Sequence, residues 1–167
     1  VNDIRTISKH LNWDTPKSLD TGRGMGVSLL AAGAHPVSSA IVRLEADSTA
    51  TLLMSSTEMG QGVRTVFAQL VSHELALPIE RIRVPGGDTS KTPYDRSTGA
   101  SRSTTLGGTA VQRAAQDVRR QMLAAAGDVW GVAADTIELR QGALWHGDQH
   151  LCQRGTVDRP RRPARPR

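Results

Sequence analysis

Two short stretches of this chain carry residue types able to meet a ligand through bare backbone and small polar groups. The first is Ser55-Ser56-Thr57-Glu58-Met59-Gly60-Gln61-Gly62-Val63-Arg64-Thr65. Gly60 and Gly62 let a ligand approach the backbone closely. Gln61 adds one acceptor and two donors, a set that suits the polar edge of a heterocycle. The second stretch is Asp95-Arg96-Ser97-Thr98-Gly99-Ala100-Ser101-Arg102-Ser103-Thr104-Thr105. Its hydroxyls crowd around Gly99 and Ala100, where side-chain bulk is low, and hydroxyls with free backbone amides at a helix start fit a phosphate. Arg96 and Arg102 stand ready to offset Asp88 and Asp95. Taken singly, each stretch is better read as an ordinary turn, with a Ser or Thr cap on the following helix. Neither has the Gly-Lys-Ser/Thr ending of a P-loop.

Two helices and a few short strands must position these stretches. Val63, Val66, Phe67, Leu70 and Val71 fall at i, i+3, i+4, i+7 and i+8, which predicts a helix over 62–77. Pro78 is expected to end it, because the residue before a proline is pushed out of the α region. A second helix is expected from Ser101. Leu106, Ala110, Ala114, Val118 and Met122 form its stripe, Val111 and Ala115 broaden it, and Gly127 is the expected stop. Arg113 and Asp117 form an i,i+4 pair away from the stripe. Both stretches therefore lie at helix N-termini, where unpaired N–H groups and the dipole favour an anion. Glu58 reads as a helix-start carboxylate, and Asp95, beside Arg96, as a turn residue.

Strands are predicted over 24–32, 38–44, 50–56 and 81–84, with turns at 33–36 and at Asp47-Ser48. A small hairpin is predicted from 136–139 and 143–145 around Gln141-Gly142. Residues 1–22 read as a short helix and linker, and 85–99 as a long aperiodic loop of the kind that is functional or disordered. The expected fold class is α+β: one small, mostly antiparallel sheet with two main helices packed on one face.

In their order and spacing, the two stretches resemble the molybdopterin-binding subunit of the xanthine dehydrogenase and aldehyde oxidase family. The resemblance runs from about Arg23 to Ala126. It takes in Thr57 to Gly62, the helix after it with Thr65 and Gln69, Asp88-Thr89, and the run from Thr92 to Thr104. It implies that Met59, Gly60 and Gln61 contact the pterin and its dithiolene side. Ala100 would present its backbone amide near an equatorial ligand of molybdenum, with no side chain of this chain on the metal. Ser101 and Ser103 would bond the cofactor's phosphate or pterin edge, and Gly62, Gly99, Arg102 and Thr104 complete the cofactor-binding set. Arg102 stands where some members have a small apolar residue, so it meets either a dinucleotide extension of the cofactor or a surface carboxylate.

The resemblance also implies an enzyme that hydroxylates an N-heterocycle or aldehyde. Its cofactor is molybdopterin, plain or as the cytosine dinucleotide, with Fe–S clusters and FAD on other domains or subunits. The family's Gly-Glu-Pro-type motif, which carries its catalytic glutamate, is not in this sequence, nor are its earlier glycine-rich pterin segment and Arg-Gly-Phe-Gly-like loop. The expectation is a piece of one subunit, molybdopterin-binding over 23–151, inactive alone, whose partners are the rest of that subunit, the Fe–S and flavin parts and a small substrate. The other readings are a phosphate- or nucleotide-binding module without molybdenum, and an inert truncated product.

Composition narrows the field. The net charge of +5 suggests nucleic acid until it is located. Residues 153–167 hold six arginines against Asp158, and residues 1–152 balance fifteen basic against fifteen acidic groups. Nucleic acid is therefore not an expected partner. The Arg/Pro-rich segment 152–167 reads as a disordered basic tail or as the product of a shifted reading frame. Aromatic residues make up 3% of the chain, so the core must come from Val, Leu, Ile and Ala around Trp13, Trp130, Phe67 and Tyr94. No apolar run is long enough for a membrane helix. Neither a signal peptide nor an initiator Met is present at the start, which points to a true N-terminus upstream. Cys152, the only cysteine, allows no internal disulfide or cluster and fits a cytoplasmic setting. His10, His35, His73, His146 and His150 show no ligand spacing.

Overall fold

The computed structural model describes residues 2–30 and 37–153. The turn expected at 33–36, the end of the strand expected over 24–32, and residues 154–167 of the basic segment lie outside the described residues. The chain divides into two compact units, 1–30 and 31–167.

In the first unit, α1 (Asn2–His10) places Asp3 in its first turn and Lys9 and His10 in its last, both favourable to the helix dipole. Residues 24–30 do not form the buried strand that their small apolar composition suggested. They pair with no strand among the described residues, and Val27 and Leu29 are 76% and 94% exposed.

The second unit begins with a hairpin, β1 (Ile41–Leu44) against β2 (Ala50–Leu53). Its turn is the expected one: Asp47 Oδ1 accepts the backbone N–H and hydroxyl of Thr49, and Ser48 takes a left-handed conformation. From β2 the chain enters α2 (Val63–Leu75) and returns through β3 (Ile82–Arg83), parallel to β2. This β2–α2–β3 crossover makes a three-stranded sheet in the order β1-β2-β3. Helix α2 stops earlier than Pro78 requires. Ala76 turns left-handed and Leu77 donates its N–H back to Ser72.

Helix α3 (Gly108–Trp130) follows a π-helical turn, Ser103–Gly107. Val42, Ala50 and Leu52 from the sheet, Phe67, Val71 and Leu75 from α2, and Val111 and Ala115 from α3 share one buried cluster. Both helices thus lie on the one sheet face expected. The inner line of α3 is Gly108, Val111 and Ala115, while Ala114, Val118 and Met122 sit half-buried at its flank.

At 23 residues, α3 is about 35 Å long at 1.5 Å per residue, more than one short sheet can cover. Its far half meets a second sheet of three antiparallel strands: β4 (Ile137–Arg140), β5 (Ala143–His146) and β6 (Gln149–Gln153). Ala126, Ile137, Leu139 and Leu144 form the cluster between them. The α+β class and the hairpin around Gln141-Gly142 are as expected; the unforeseen third strand, β6, turns that hairpin into a second sheet beside the first. Trp145 packs edge-on against the His150 ring at 4.9 Å.

Two helix details also differ. Gly127 does not stop α3; Gly131, left-handed, caps it by donating its N–H to the Gly127 carbonyl at 2.8 Å. Gly127 is needed because the chain folds back against it: a Cβ there would sit 2.8 Å from the Val132 carbonyl. Asp117 pairs with Arg120 and Gln121, not with Arg113.

Candidate functional site

The first stretch leaves the carboxyl end of β2 and opens α2. Gly60 and Gly62 sit at φ 98° and 76°, where glycine alone is unstrained. Their turn lays the Glu58 side chain over the start of α2. Its Oε1 accepts the N–H groups of Gly60 and Gly62 at 2.9 and 3.0 Å, and Oε2 accepts that of Arg64 at 3.2 Å. These bonds, that from Gly62 foremost, hold the Glu58 carboxyl below its ordinary range. Two of the N–H groups expected to be free at this helix end, those of Gly62 and Arg64, are therefore engaged, because the chain supplies its own anion from four residues upstream. Gln61 also turns inward: Oε1 accepts the Met59 N–H at 2.6 Å and Nε2 donates to the Thr57 carbonyl at 2.8 Å. Met59 is 66% exposed.

The second stretch opens α3 through the π turn, a rare conformation that recurs at functional sites. Ala100 and Ser101 are both left-handed, at φ 50° and 54°, which costs non-glycine residues about 1–2 kcal/mol each. Among the described residues, the N–H groups of Gly99, Ala100 and Ser101 and the hydroxyls of Ser101, Ser103 and Thr104 make no hydrogen bond to protein. The Arg102 side chain turns the other way, into the protein, and the residue is 3% exposed. Its Nη1 donates to Asp95 Oδ1 and to the Arg96 carbonyl, both at 2.9 Å, and Nη2 donates to the Val37 carbonyl. The carboxylate that Arg102 meets is thus a buried one, not one at the surface. Arg96 reaches this cluster only through its backbone, and Asp88 is served by Ser90 and Lys91.

Three consecutive residues join the two stretches along one seam. Ser55 Oγ bonds the Thr92 hydroxyl and the Pro93 carbonyl, each at 2.7 Å. Ser56 Oγ donates to Asp95 Oδ2 at 3.0 Å. Thr57 gives its N–H to Thr98 Oγ1 at 3.1 Å and takes that hydroxyl's proton on its carbonyl. Glu58 and Gly99 follow directly, so the Met59–Gly62 and Gly99–Thr104 segments start from a common point. Behind them the helices are drawn close by Gly107, where a Cβ would lie 3.1 Å from the Phe67 ring.

The open side of this arrangement suits a group with phosphate and heteroaromatic edges. Gly99 carries the plainest sign. Its φ is not left-handed and a Cβ there would meet nothing within 4 Å, so neither conformation nor internal packing calls for glycine. Close approach of a ligand is one use of such an open backbone position.

Comparison with known proteins gives this arrangement a family. The model of the molybdopterin cofactor-binding domain matches residues 6–159. The chain belongs to that family. The chain is 34% identical to the carbon monoxide dehydrogenase large chain of Hydrogenophaga pseudoflava over 69% of its own length and 12% of the relative's. It is 26% identical to a probable hypoxanthine oxidase of Escherichia coli (strain K12), over 92% of its length and 17% of the relative's. Among solved structures, quinoline 2-oxidoreductase from Pseudomonas putida 86 superposes with a TM-score of 0.60 at 27% identity, covering 66% of this chain and 14% of that one. The chain thus spans less than a fifth of the length of these relatives.

Sequence reasoning placed the two stretches at helix starts but missed their fastening. Ser38, Ser56, Asp95 and Thr98 do that work, and Asp95 had been read as a turn residue. An Asp and an Arg seven positions apart in a hydroxyl-rich loop were the available signal.

Proposed function

We propose that this chain is the part of a molybdenum hydroxylase's large subunit that grips molybdopterin between Met59–Gly62 and Gly99–Thr104. The purposeless openness at Gly99, beside free amides and hydroxyls, is the observation that carries the reading. Glu58 divides the labour. With its carboxylate already on the α2 amides, the first segment repels a second anion and offers neutral edges: Met59, the Gly60 backbone, and the remaining donor and acceptor capacity of Gln61. The phosphate falls to the second segment, where Ser101, Ser103 and Thr104 hydroxyls and the Gly99 and Ser101 amides hold no competing charge. Ala100 would present its amide to the molybdenum end of the cofactor, and Arg102 acts from beneath by fixing the loop. Once bound, molybdopterin supplies the molybdenum centre that oxidises the substrate.

The reading extends to an oxidative hydroxylase of an N-heterocycle or aldehyde, supported by relatives named for hypoxanthine and quinoline. Its partners are the rest of the large subunit and Fe–S and flavin parts, in the cytoplasm. In this scheme 23–151 is the cofactor-holding subdomain, 1–22 a leading segment and 152–167 a tail. No helix among the described residues is long and apolar enough to cross a membrane. Lacking a Gly-Glu-Pro motif, the 167 residues hold cofactor without turning over substrate.

The test is to purify the chain from a molybdate-supplied host and assay molybdenum and pterin fluorescence, wild type beside Gly99→Val. Cofactor should be present in the wild type and strongly depleted in the variant. Stability should change by no more than about 0.5 kcal/mol, as for any substitution into open space. A cofactor-free wild type, or a Gly99→Val that loads normally, overturns the reading.

A further inference from the structure

The Asp95 side chain is fully buried, and four donors from three segments converge on it. Oδ1 accepts the Ser38 hydroxyl at 3.1 Å, the Arg96 N–H at 2.8 Å and Arg102 Nη1 at 2.9 Å; Oδ2 accepts the Ser56 hydroxyl at 3.0 Å. Ser38 leads into β1, Ser56 adjoins the first cofactor segment, and Arg102 lies within the second. A buried ion pair is costly to desolvate, and apolar residues of similar volume would stabilise the fold as well or better. What the pair adds is a fixed geometry, since each donor must keep its distance and direction.

We propose that Asp95 is a positioning residue that sets the spacing of the two cofactor segments before any cofactor arrives. The inference rests on the molybdopterin reading only for what the segments hold. Of the three links in the seam, only the one through Asp95 also reaches Ser38 and Arg102. Ser56 and Thr57 are neighbours, so the carboxylate determines whether the Thr57–Thr98 bonds can close. Without it, the first segment keeps its internal Glu58 and Gln61 bonds but drifts relative to the second. Asp95 touches no cofactor; it acts through Ser56 and Arg102.

Amide hydrogen exchange on the 167-residue chain separates positioning from general stability. The Thr57 N–H is held across the seam by Thr98, whereas the Gly62 N–H is held within its own segment by Glu58. In Asp95→Asn, Thr57 exchange should rise at least tenfold more than Gly62 exchange. Binding of isolated molybdopterin, followed by pterin fluorescence, should weaken at least tenfold. Val71→Ala, a fully buried core change in α2, serves as the control. It should raise both exchange rates by the same factor and leave the affinity within about twofold. Should Asp95→Asn fail to fold, Ser56→Ala cuts one arm alone and should show the same selective Thr57 effect at about threefold. Parallel rises at Thr57 and Gly62 in both variants overturn the positioning role. A wild type that binds no molybdopterin overturns the cofactor reading instead, and the Thr57-to-Gly62 ratio still decides for Asp95.

Discussion

Glu74 sits in the last turn of α2, where a negative charge opposes the helix dipole, yet it is only 8% exposed. Its Oε1 accepts the side-chain amides of Gln112 at 2.8 Å and Gln116 at 3.0 Å, one turn apart on α3. These bonds tie together the two helices whose N-termini carry the cofactor segments. A hydrogen bond to a charged group contributes about 1.5–3 kcal/mol. Both donors share one oxygen here, and both glutamines can turn to water once released, so Glu74→Ala should cost roughly 2–4 kcal/mol in all. For a chain of this size that is a fall in Tm of roughly 5–15 °C. Urea denaturation followed by circular dichroism measures it. A double-mutant cycle with Gln112→Ala and Gln116→Ala should return a coupling of about 1 kcal/mol for each pair. A loss for Glu74→Ala below about 0.5 kcal/mol, the ordinary scatter of surface substitutions, would refute the reasoning. So would a full loss with no coupling to either glutamine, which would leave only the packing of the side-chain stem as its cause.

Other perturbations have equally definite outcomes. Gly127→Ala gains about 1 kcal/mol of helix propensity but forces a methyl against a backbone carbonyl, an overpacking cost of about 1–3 kcal/mol, so a thermal melt should show net destabilisation. Gln141, at φ 48° before Gly142 in the β4–β5 turn, should welcome Asn. Gln141→Asn should raise stability by about 0.5–1 kcal/mol in the same melt, because Asn-Gly suits this turn. The Asp88 carboxyl is drawn down to about 2, chiefly by the Ser90 hydroxyl, then the Ser90 N–H and Lys91, and the amides over α2 also lower Glu58. Folded values below unfolded ones mean that this stabilisation is complete above the ordinary carboxyl range and is lost as pH falls through the folded values. Stability followed from pH 6 downward should therefore decline below about pH 4. Asp88 should titrate near pH 2 by carbon-13 NMR, and Glu58→Gln should flatten part of the decline. A pH-independent melt would contradict both assignments.

How much could be read from residues alone followed the range of the interactions involved. The α2 stripe of Val63, Phe67 and Val71 was legible because burial there repeats with the helix period. The hairpins around Asp47-Ser48 and Gln141-Gly142 were legible because turn chemistry is local. Gly127 misled because a glycine that ends a helix and one that admits a neighbouring carbonyl look alike until Val132 is placed. Residues 24–30 have the composition of a buried strand, but a strand also needs a partner, which composition does not supply. β6 carries Gln149 and His150 and owes its existence to pairing with β5. At the site, the glycines and hydroxyls announced themselves, whereas the engagement of the α2 amides by Glu58 depended on how Gly60 and Gly62 bend the chain. Asp95 was the hardest to see, since one of its partners, Ser38, lies 57 residues away.

The π turn at Ser103–Gly107 bears on how this fold tolerates change in length. Such a turn closes its hydrogen bonds one residue later than an α-helix and so stores a single extra residue. Deleting one of Thr104 to Leu106 would let the helix relax to regular winding without breaking it. Because the turn absorbs that residue locally, its loss would leave Arg102 and Ser101 close to their present angle around the axis of α3. A deletion in the regular winding after Gly108 would instead rotate everything upstream by about 100° and swing Arg102 away from Asp95. The π turn therefore works as slack in the second segment, a place where length can change while the aim of Arg102 is kept.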